Sequence, residues 1–336
     1  MENLNVRFFA EEAREKLRGK NAKNLTAFHT GITVVAALII TLLQFVLTKG
    51  IGNTSGLSGL GTRSVLETIQ MVLRWANMIL LPFWSLGFLY ASYLWARDSH
   101  ARREDLLMGF RRFGPCLSLL LNRTVLSVLV MILCINLSST VFILTPAAAP
   151  LMELAETAGN DMDALNEILA QMSWEQTMEL ANVLLPMLIL WGILSLVILV
   201  PLLYRFRMAE YVILEEPRAR GLSSMLLSAA LLRRRFWKLL RLDLHFWWYY
   251  GLKALCIVLC YTDLLLELWG ISLPVGAEAA SLITCGLYLA ALFAIEVSFR
   301  PRVDTAYANL FLALKEMGPA QRNAFAVPQK MLWDEE

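Results

Sequence analysis

The stretch that decides the fold is WGILSLVILVPLLYRFRMAEYVILEEP, residues 191–217. Its first half is a continuous apolar run, and its second half brings charges at Arg205, Arg207 and Glu210 and at the pair Glu215–Glu216. A helix that leaves a lipid bilayer meets the charged headgroup region within about a turn, where Tyr, Lys and Arg are favoured. We therefore interpret this stretch as a transmembrane helix that crosses a membrane interface and continues beyond it.

The composition of the whole chain supports this interpretation. Hydrophobic residues make up 57% and charged residues 17% of its 336 residues, against about 45–50% and about 25% in soluble proteins. The mean hydropathy is +0.56. A soluble fold of this size cannot hide so much apolar surface. Because helices satisfy their own backbone within lipid, the composition predicts an all-α integral membrane protein.

Six apolar runs are long enough to cross the hydrocarbon core, which takes about 20 residues per helix. They lie near 27–47, 69–95, 117–143, 183–203, 243–262 and 277–298. The sequence thus predicts a polytopic bundle with a six-span membrane domain over 27–298. An amphipathic basic segment, 1–26, precedes this domain, and a tail, 299–336, follows it.

The distribution of Lys and Arg predicts the orientation of the bundle. The N-terminal segment, the five successive loops and the tail hold 6, 2, 5, 0, 9, 0 and 5 of these residues. Cytoplasmic loops of membrane proteins carry an excess of Lys and Arg. Since the richer segments alternate with the poorer ones, we predict that both termini lie in the cytoplasm.

A basic segment, 222–241, follows the opening stretch, with the sequence LSSMLLSAALLRRRFWKLLR. It is too apolar for a solvated helix and too charged for a span, so we predict one helix in the cytoplasmic interface with basic side chains reaching lipid phosphates. Anchoring of the chain is the alternative role, and no nucleic-acid recognition motif accompanies it. The candidate lipid- or partner-binding residues are Arg205, Arg207, Arg233, Arg234, Arg235, Lys238 and Arg241.

The loop on the opposite face, 144–182, is acidic and contains no Lys or Arg. Its apolar residues recur with helical spacing, which predicts an extracytoplasmic amphipathic helix. Such a helix either covers the bundle or binds a partner. The residues on its apolar side are Met162, Leu165, Leu169, Met172 and Trp174.

Two basic residues, Arg123 and Lys253, fall inside predicted spans. A charge within the membrane is costly, so it either snorkels to the interface or serves a pathway for a substrate or lipid. Near the inner end of the last span, Glu296 lies four residues before Arg300, which predicts an ion pair on one helix face. Catalytic motifs such as HExxH, GxSxG and the Walker A sequence are absent, and we expect neither a metal, nor a cofactor, nor an enzymatic role.

Several phrases together resemble an uncharacterised bacterial integral-membrane family, domain of unknown function 975. These phrases are AREKLRGK (13–20), LGFLYASYLWARD (86–98), REDLLMGFRRFG (103–114), YRFRMAEYVILEEP (204–217), RRRFWKLLRLDLHFWW (233–248) and RPRVDTAYANLFLAL (300–314). The resemblance covers roughly 7–114 and 200–313 and omits the acidic loop. A second small family of bacterial membrane proteins, some found beside sugar-uptake genes, also has a Gly-Phe after the second span.

The resemblance implies a helical bundle in a bacterial inner membrane and brings no reaction with it. The positions that it highlights are Gly109, Phe110, Tyr204, Tyr211, Ser228, Phe236, Leu242 and Tyr307. The family has a Gly within the basic stretch, where this chain has Arg233–Arg235.

Two functions are compatible with the sequence. The first is a non-enzymatic accessory or scaffold protein that engages anionic lipid headgroups, a membrane protein partner or another copy of itself through 222–241. The second is a permease-like protein that moves a small amphiphile or lipid past Arg123 and Lys253.

Overall fold

The structure is a computed structural model that describes residues 6–53, 60–150, 152, 172–216, 218–233, 235–260 and 277–316. Throughout these ranges the regular secondary structure is helical and contains no strand, which confirms the all-α prediction. The helices are α1 (Val6–Lys16), α2 (Ala22–Asn53), α3 (Leu60–Ala96), α4 (Met108–Arg111), α5 (Phe113–Ile143), α6 (Trp174–Arg205), α7 (Ala209–Glu215), α8 (Gly221–Leu232), α9 (Phe236–His245), α10 (Trp247–Cys260) and α11 (Ala277–Glu316). Two 3₁₀ helices, Arg103–Leu107 and Pro146–Ala148, accompany them.

Five helical stretches within the described ranges are long and apolar enough to cross a membrane. They are Ala22–Gln44, Ser64–Ala96, Phe113–Ile143, Glu175–Glu215 and Ile283–Glu316. Each overlaps a predicted span. The remaining predicted span, 243–262, falls on the end of α9 and on α10, and its last two residues lie outside the described ranges. The sixth span and the orientation of the bundle stay predictions.

The chain divides into two compact units. The first contains residues 1–117 and 208–336, and the second contains residues 118–207. In the first unit α11 is the central helix, since α1, α2, α3 and α10 all pack against it.

The second half of α11 forms much of the core of the first unit. Val303, Ala306, Leu310, Phe311 and Leu314 are all almost completely buried. The sequence predicts a tail from residue 299, but the helix continues without a break to Glu316. The helix continues because this segment has enough apolar residues on its inner face to pack as a core helix.

Two glycines bring α3 against the segment that follows it. A Cβ atom at Gly87 would overlap the carbonyl group of Leu106, and one at Gly109 would overlap the carbonyl oxygen of Phe83. Only glycine permits backbones to approach so closely. The contact also stacks the Phe110 ring on Phe83, with centroids 5.8 Å apart.

The second unit contains most of α5 and all of α6. Ser173 begins α6 with a capping box, in which the Gln176 N–H donates to Ser173 Oγ at 3.3 Å and the Ser173 N–H donates to Gln176 Oε1 at 2.9 Å. The Ser139 hydroxyl lies 3.8 Å from Met187 Sδ and so links α5 to α6. The predicted acidic helix of the 144–182 loop falls largely on 153–171, outside the described residues.

The basic segment 222–241 forms two helices, α8 and α9, where the sequence predicts one. Arg233 ends α8, and Arg235 precedes α9 with a backbone φ of −129° and ψ of 12°. The break has a packing cause, because α8 packs against α7 whereas α9 packs against α1.

Candidate functional site

The helix α9 has one face in the core of the first unit and one face outside it. Leu239 and Leu242 are completely buried, whereas Trp237 is 68% exposed and Leu244 is 60% exposed. Arg241 lies on the exposed side between these two apolar residues. Trp237, Lys238, Arg241 and Leu244, with Trp247 at the start of α10, are called the α9 surface below.

The α9 surface has the chemistry of a helix that lies in a membrane interface. Trp247 is also 68% exposed, so two indole rings lie outside the core within ten residues of each other. Indole rings favour the headgroup level of a bilayer, and Lys and Arg extend from that level towards lipid phosphates. Because the opposite face packs into the first unit, this surface is held rigidly to the rest of the unit.

The other predicted basic residues occupy several places. Arg233 is exposed at the end of α8, and Arg235 is half-buried at the start of α9. Arg205 and Arg207 belong to the second unit, where the Arg207 guanidinium lies 5.7 Å from the centroid of the Tyr204 ring. Arg234 lies outside the described residues.

A second cluster of charges lies inside the first unit and is called the α11 network below. Its members are Lys253, Glu296, Arg300 and Asp304. Lys253 Nζ lies 2.7 Å from Glu296 Oε1, and Arg300 Nε lies 3.4 Å from Glu296 Oε2. Arg300 Nε also donates to Asp304 Oδ2 at 3.2 Å. The predicted pair of Glu296 and Arg300 is therefore confirmed.

Hydrogen bonds and ring contacts join the α11 network to three other helices. The guanidinium of Arg300 donates to Ser85 Oγ at 3.2 Å and lies 4.3 Å from the centroid of the Phe88 ring, both on α3. Tyr249 of α10 donates its hydroxyl to Glu296 Oε1 at 3.2 Å. Tyr211 of α7 donates to the backbone carbonyl of Asp304 at 3.1 Å. The network thus cross-links α3, α7, α10 and α11.

The charges of the α11 network balance, with two cations against two carboxylates. A buried charge that has lost its partner is far more costly than a paired one, so balance of this kind favours a structural role. The side chain of Lys253 is 38% exposed, which is consistent with a stem that extends towards an interface while its ammonium group stays paired. Arg123, the other predicted membrane charge, is half-buried on α5 in the second unit.

His29 lies beside this network, since its ring and the Arg300 guanidinium both contact the ring of Phe88. Its ring is buried and stacks on Trp84, with centroids 4.8 Å apart and an interplanar angle of 6°. Its Nε2 atom lies 3.1 Å from the Trp84 carbonyl oxygen. Among the described residues, no group of three His, Cys, Asp or Glu side chains is placed to hold a metal ion.

The sequence interpretation did not identify Asp304 or Tyr249 as partners in the network. For Asp304 a signal exists, because Glu296, Arg300 and Asp304 follow one another at intervals of four residues and so share a helix face. Two tyrosines highlighted only by the family resemblance also form tertiary contacts. Tyr211 hydrogen-bonds to the backbone of Asp304 in the network, and Tyr307 hydrogen-bonds to the Asp243 carboxylate and to the Tyr250 hydroxyl.

No protein-family model matches this chain, and neither a curated protein nor a solved structure matches it.

Proposed function

We propose that the protein is a non-enzymatic membrane accessory or scaffold protein that engages anionic lipid headgroups through the α9 surface. The observation that carries this proposal is the arrangement of α9, with Leu239 and Leu242 in the core and Trp237, Arg241 and Leu244 outside it. Each basic residue near an anionic membrane surface contributes about 1 kcal/mol of attraction. The aromatic and aliphatic side chains add the burial of apolar surface at the interface.

The α11 network supports a scaffold in preference to a transporter. A permease-like protein that moves a small amphiphile or lipid is the alternative, and it needs Arg123 and Lys253 to face a pathway. Lys253 instead lies 2.7 Å from Glu296, so its charge is neutralised within the protein. A cation that is already paired offers little to a passing anionic headgroup.

The proposal includes a location and a topology. In it the protein lies in a bacterial inner membrane with six spans and with both termini in the cytoplasm. The alternation of Lys and Arg along the sequence supports this orientation. It places the α9 surface at the cytoplasmic leaflet, where anionic lipids are attracted to basic side chains.

The proposal is tested by the lipids that the protein retains. Purified protein is reconstituted into nanodiscs of equal parts phosphatidylglycerol and phosphatidylcholine. Native mass spectrometry then identifies, from the mass of each complex, the lipids that stay bound when the protein is released from the nanodisc. We expect the wild type to retain an excess of phosphatidylglycerol. The double variant Lys238→Gln, Arg241→Gln is expected to lose most of that excess.

A matched control removes two exposed basic side chains away from α9, namely Arg111→Gln and Arg218→Gln. It carries the same change in net charge and should retain lipids like the wild type. An α9 variant that retains the same lipids as the wild type would remove the headgroup proposal. The same measurement on protein extracted from its native membrane tests for a protein partner. A second polypeptide in fixed stoichiometry would show that the protein engages a partner protein instead of lipid headgroups.

A further inference from the structure

An open cleft of about 560 Å³ lies in the first unit between the α1–α2 connection and α11. Its volume falls in the range of about 300–1,000 Å³ that is typical of small-molecule sites. The charged residues that line it are Glu11, Arg14, Glu15, Arg18, Lys20, Lys23 and Arg302, of which Lys20 is paired with Asp98. None of these residues belongs to the α9 surface, and none is used by the α11 network.

The cations of this cleft converge from several elements. Arg14 is on α1, Arg18 is in the connection, Lys23 is in the first turn of α2, and Arg302 is on α11. All four are exposed. Within the described part of the chain, no ion pair or side-chain hydrogen bond engages their charged groups. The cleft therefore combines concave shape with positive charge that is not neutralised by a specific partner.

Two lysines of the same basic segment differ from these four cations, because their ammonium groups are hydrogen-bonded within the protein. Lys16 Nζ donates to the Ala96 carbonyl at 2.7 Å, and Lys20 Nζ donates to the Trp95 carbonyl at 3.1 Å, so both fasten the connection to the end of α3. Gly19, with a φ of 77°, makes the turn between the two helices. The connection that carries Arg18 is thus held in place beside the cleft.

We propose that this cleft binds a phosphate group. Guanidinium groups match phosphate oxygens with two parallel hydrogen bonds, and lysine adds a compact point charge. Ser298, which also lines the cleft, supplies a hydroxyl donor. Glu11 and Glu15 also line the cleft, and their carboxylates repel an anion. A ligand must therefore place its negative charge towards Arg14, Arg18, Lys23 and Arg302.

Two sources can supply such a phosphate group. The cleft lies next to the beginning of the first predicted span and the end of the last one, which is the headgroup level in the proposed topology. A lipid headgroup can reach it from the membrane, and a free phosphate ion or small phosphorylated solute can reach it from the aqueous side. The inference does not rest on the α9 surface.

The test uses the full chain in a neutral detergent and isothermal titration calorimetry with two probes. One probe is inorganic phosphate, and the other is dihexanoyl phosphatidylglycerol, a soluble short-chain lipid. The cleft variant is Lys23→Gln with Arg302→Gln. The matched control, Arg111→Gln with Arg218→Gln, removes two exposed arginines outside the cleft. Circular dichroism verifies that both variants are folded.

We expect the cleft variant to bind its probe at least about tenfold more weakly than the wild type, since two charge-assisted contacts are lost. The control is expected to bind like the wild type. Binding of the short-chain lipid alone identifies a headgroup as the source, whereas comparable binding of inorganic phosphate identifies the free anion. Equal affinities of wild type and cleft variant, or no binding of either probe, overturn the inference. The α9 double variant should bind inorganic phosphate like the wild type, which separates this result from the test of the proposed function.

Discussion

Replacing Glu296 with Gln is expected to destabilise the first unit more than replacing Lys253 with Met. The side chain of Glu296 is 8% exposed and its carboxylate contacts two cations, whereas that of Lys253 is 38% exposed. Removing one partner from a buried ion pair costs about 3–5 kcal/mol, because the other charge stays buried without compensation. Glu296→Gln removes the carboxylate from Lys253 and Arg300 together. Of these two, Arg300, whose side chain is 16% exposed, keeps Asp304 as a carboxylate partner in the α11 network, which places the cost at the lower end of this range.

The Lys253→Met change is milder because it removes one cation, and the carboxylate that it leaves behind still pairs with Arg300. We therefore expect a cost of about 3 kcal/mol for Glu296→Gln and a smaller cost for Lys253→Met.

The assay is reversible unfolding in mixed micelles with increasing dodecyl sulfate, followed by circular dichroism. The double variant completes a mutant cycle and should cost less than the sum of the two single changes, by about 0.5 kcal/mol or more. Glu104→Gln is a control at an exposed carboxylate, 4.0 Å from Arg111, and should change the free energy of unfolding very little. The reasoning is refuted if Lys253→Met lowers the free energy of unfolding as much as Glu296→Gln does. It is also refuted if the double variant loses the sum of the two single losses.

Three further substitutions test the packing of the described helices. Gly87→Ala should cost about 1–3 kcal/mol in the same unfolding assay, because its methyl group would overlap a backbone carbonyl; Gly286→Ala, which meets no atom within 4 Å, should be neutral or slightly stabilising. Ser228→Ala should cost about 1–3 kcal/mol, since it takes the acceptor at 3.1 Å from a buried N–H at the start of α7; the exposed Ser99→Ala should leave stability unchanged. Arg112→Gln should speed amide hydrogen exchange in α7, whose last carbonyls accept from this guanidinium at 2.7 and 3.1 Å; exchange at the wild-type rate would show that these hydrogen bonds do not hold α7.

The features that sequence could predict are those that depend on local spacing. Apolar runs of sufficient length predict membrane-spanning helices, and five of the six correspond to helices of the required length and apolarity. The pair of Glu296 and Arg300 is predictable because residues four apart on a helix lie side by side. The basic and aromatic residues of 222–241 likewise predict an exposed amphipathic surface, and α9 has one.

The features that sequence could not predict depend on which helices become neighbours. Lys253 and Glu296 are 43 residues apart in the sequence, and their contact exists only because α10 packs against α11. The break between α8 and α9 has the same origin, because α7 and α1 each bind one of the two pieces. The continuation of α11 past residue 298 was missed because its charges at 300, 302 and 304 indicate an interface when read without the helices around them.

The packing of α1 against α11 has a consequence for how the chain matures during synthesis. Lys16 and Asn309 meet at 3.4 Å although 293 residues separate them. At translation rates of about 5–20 residues per second, the N-terminal helix waits roughly 15–60 s for this partner to be made. During that interval the apolar side of α1, with Phe9 and Ala13, has no α11 to pack against. The packing of the first unit is therefore incomplete until the last helix of the described chain has been made.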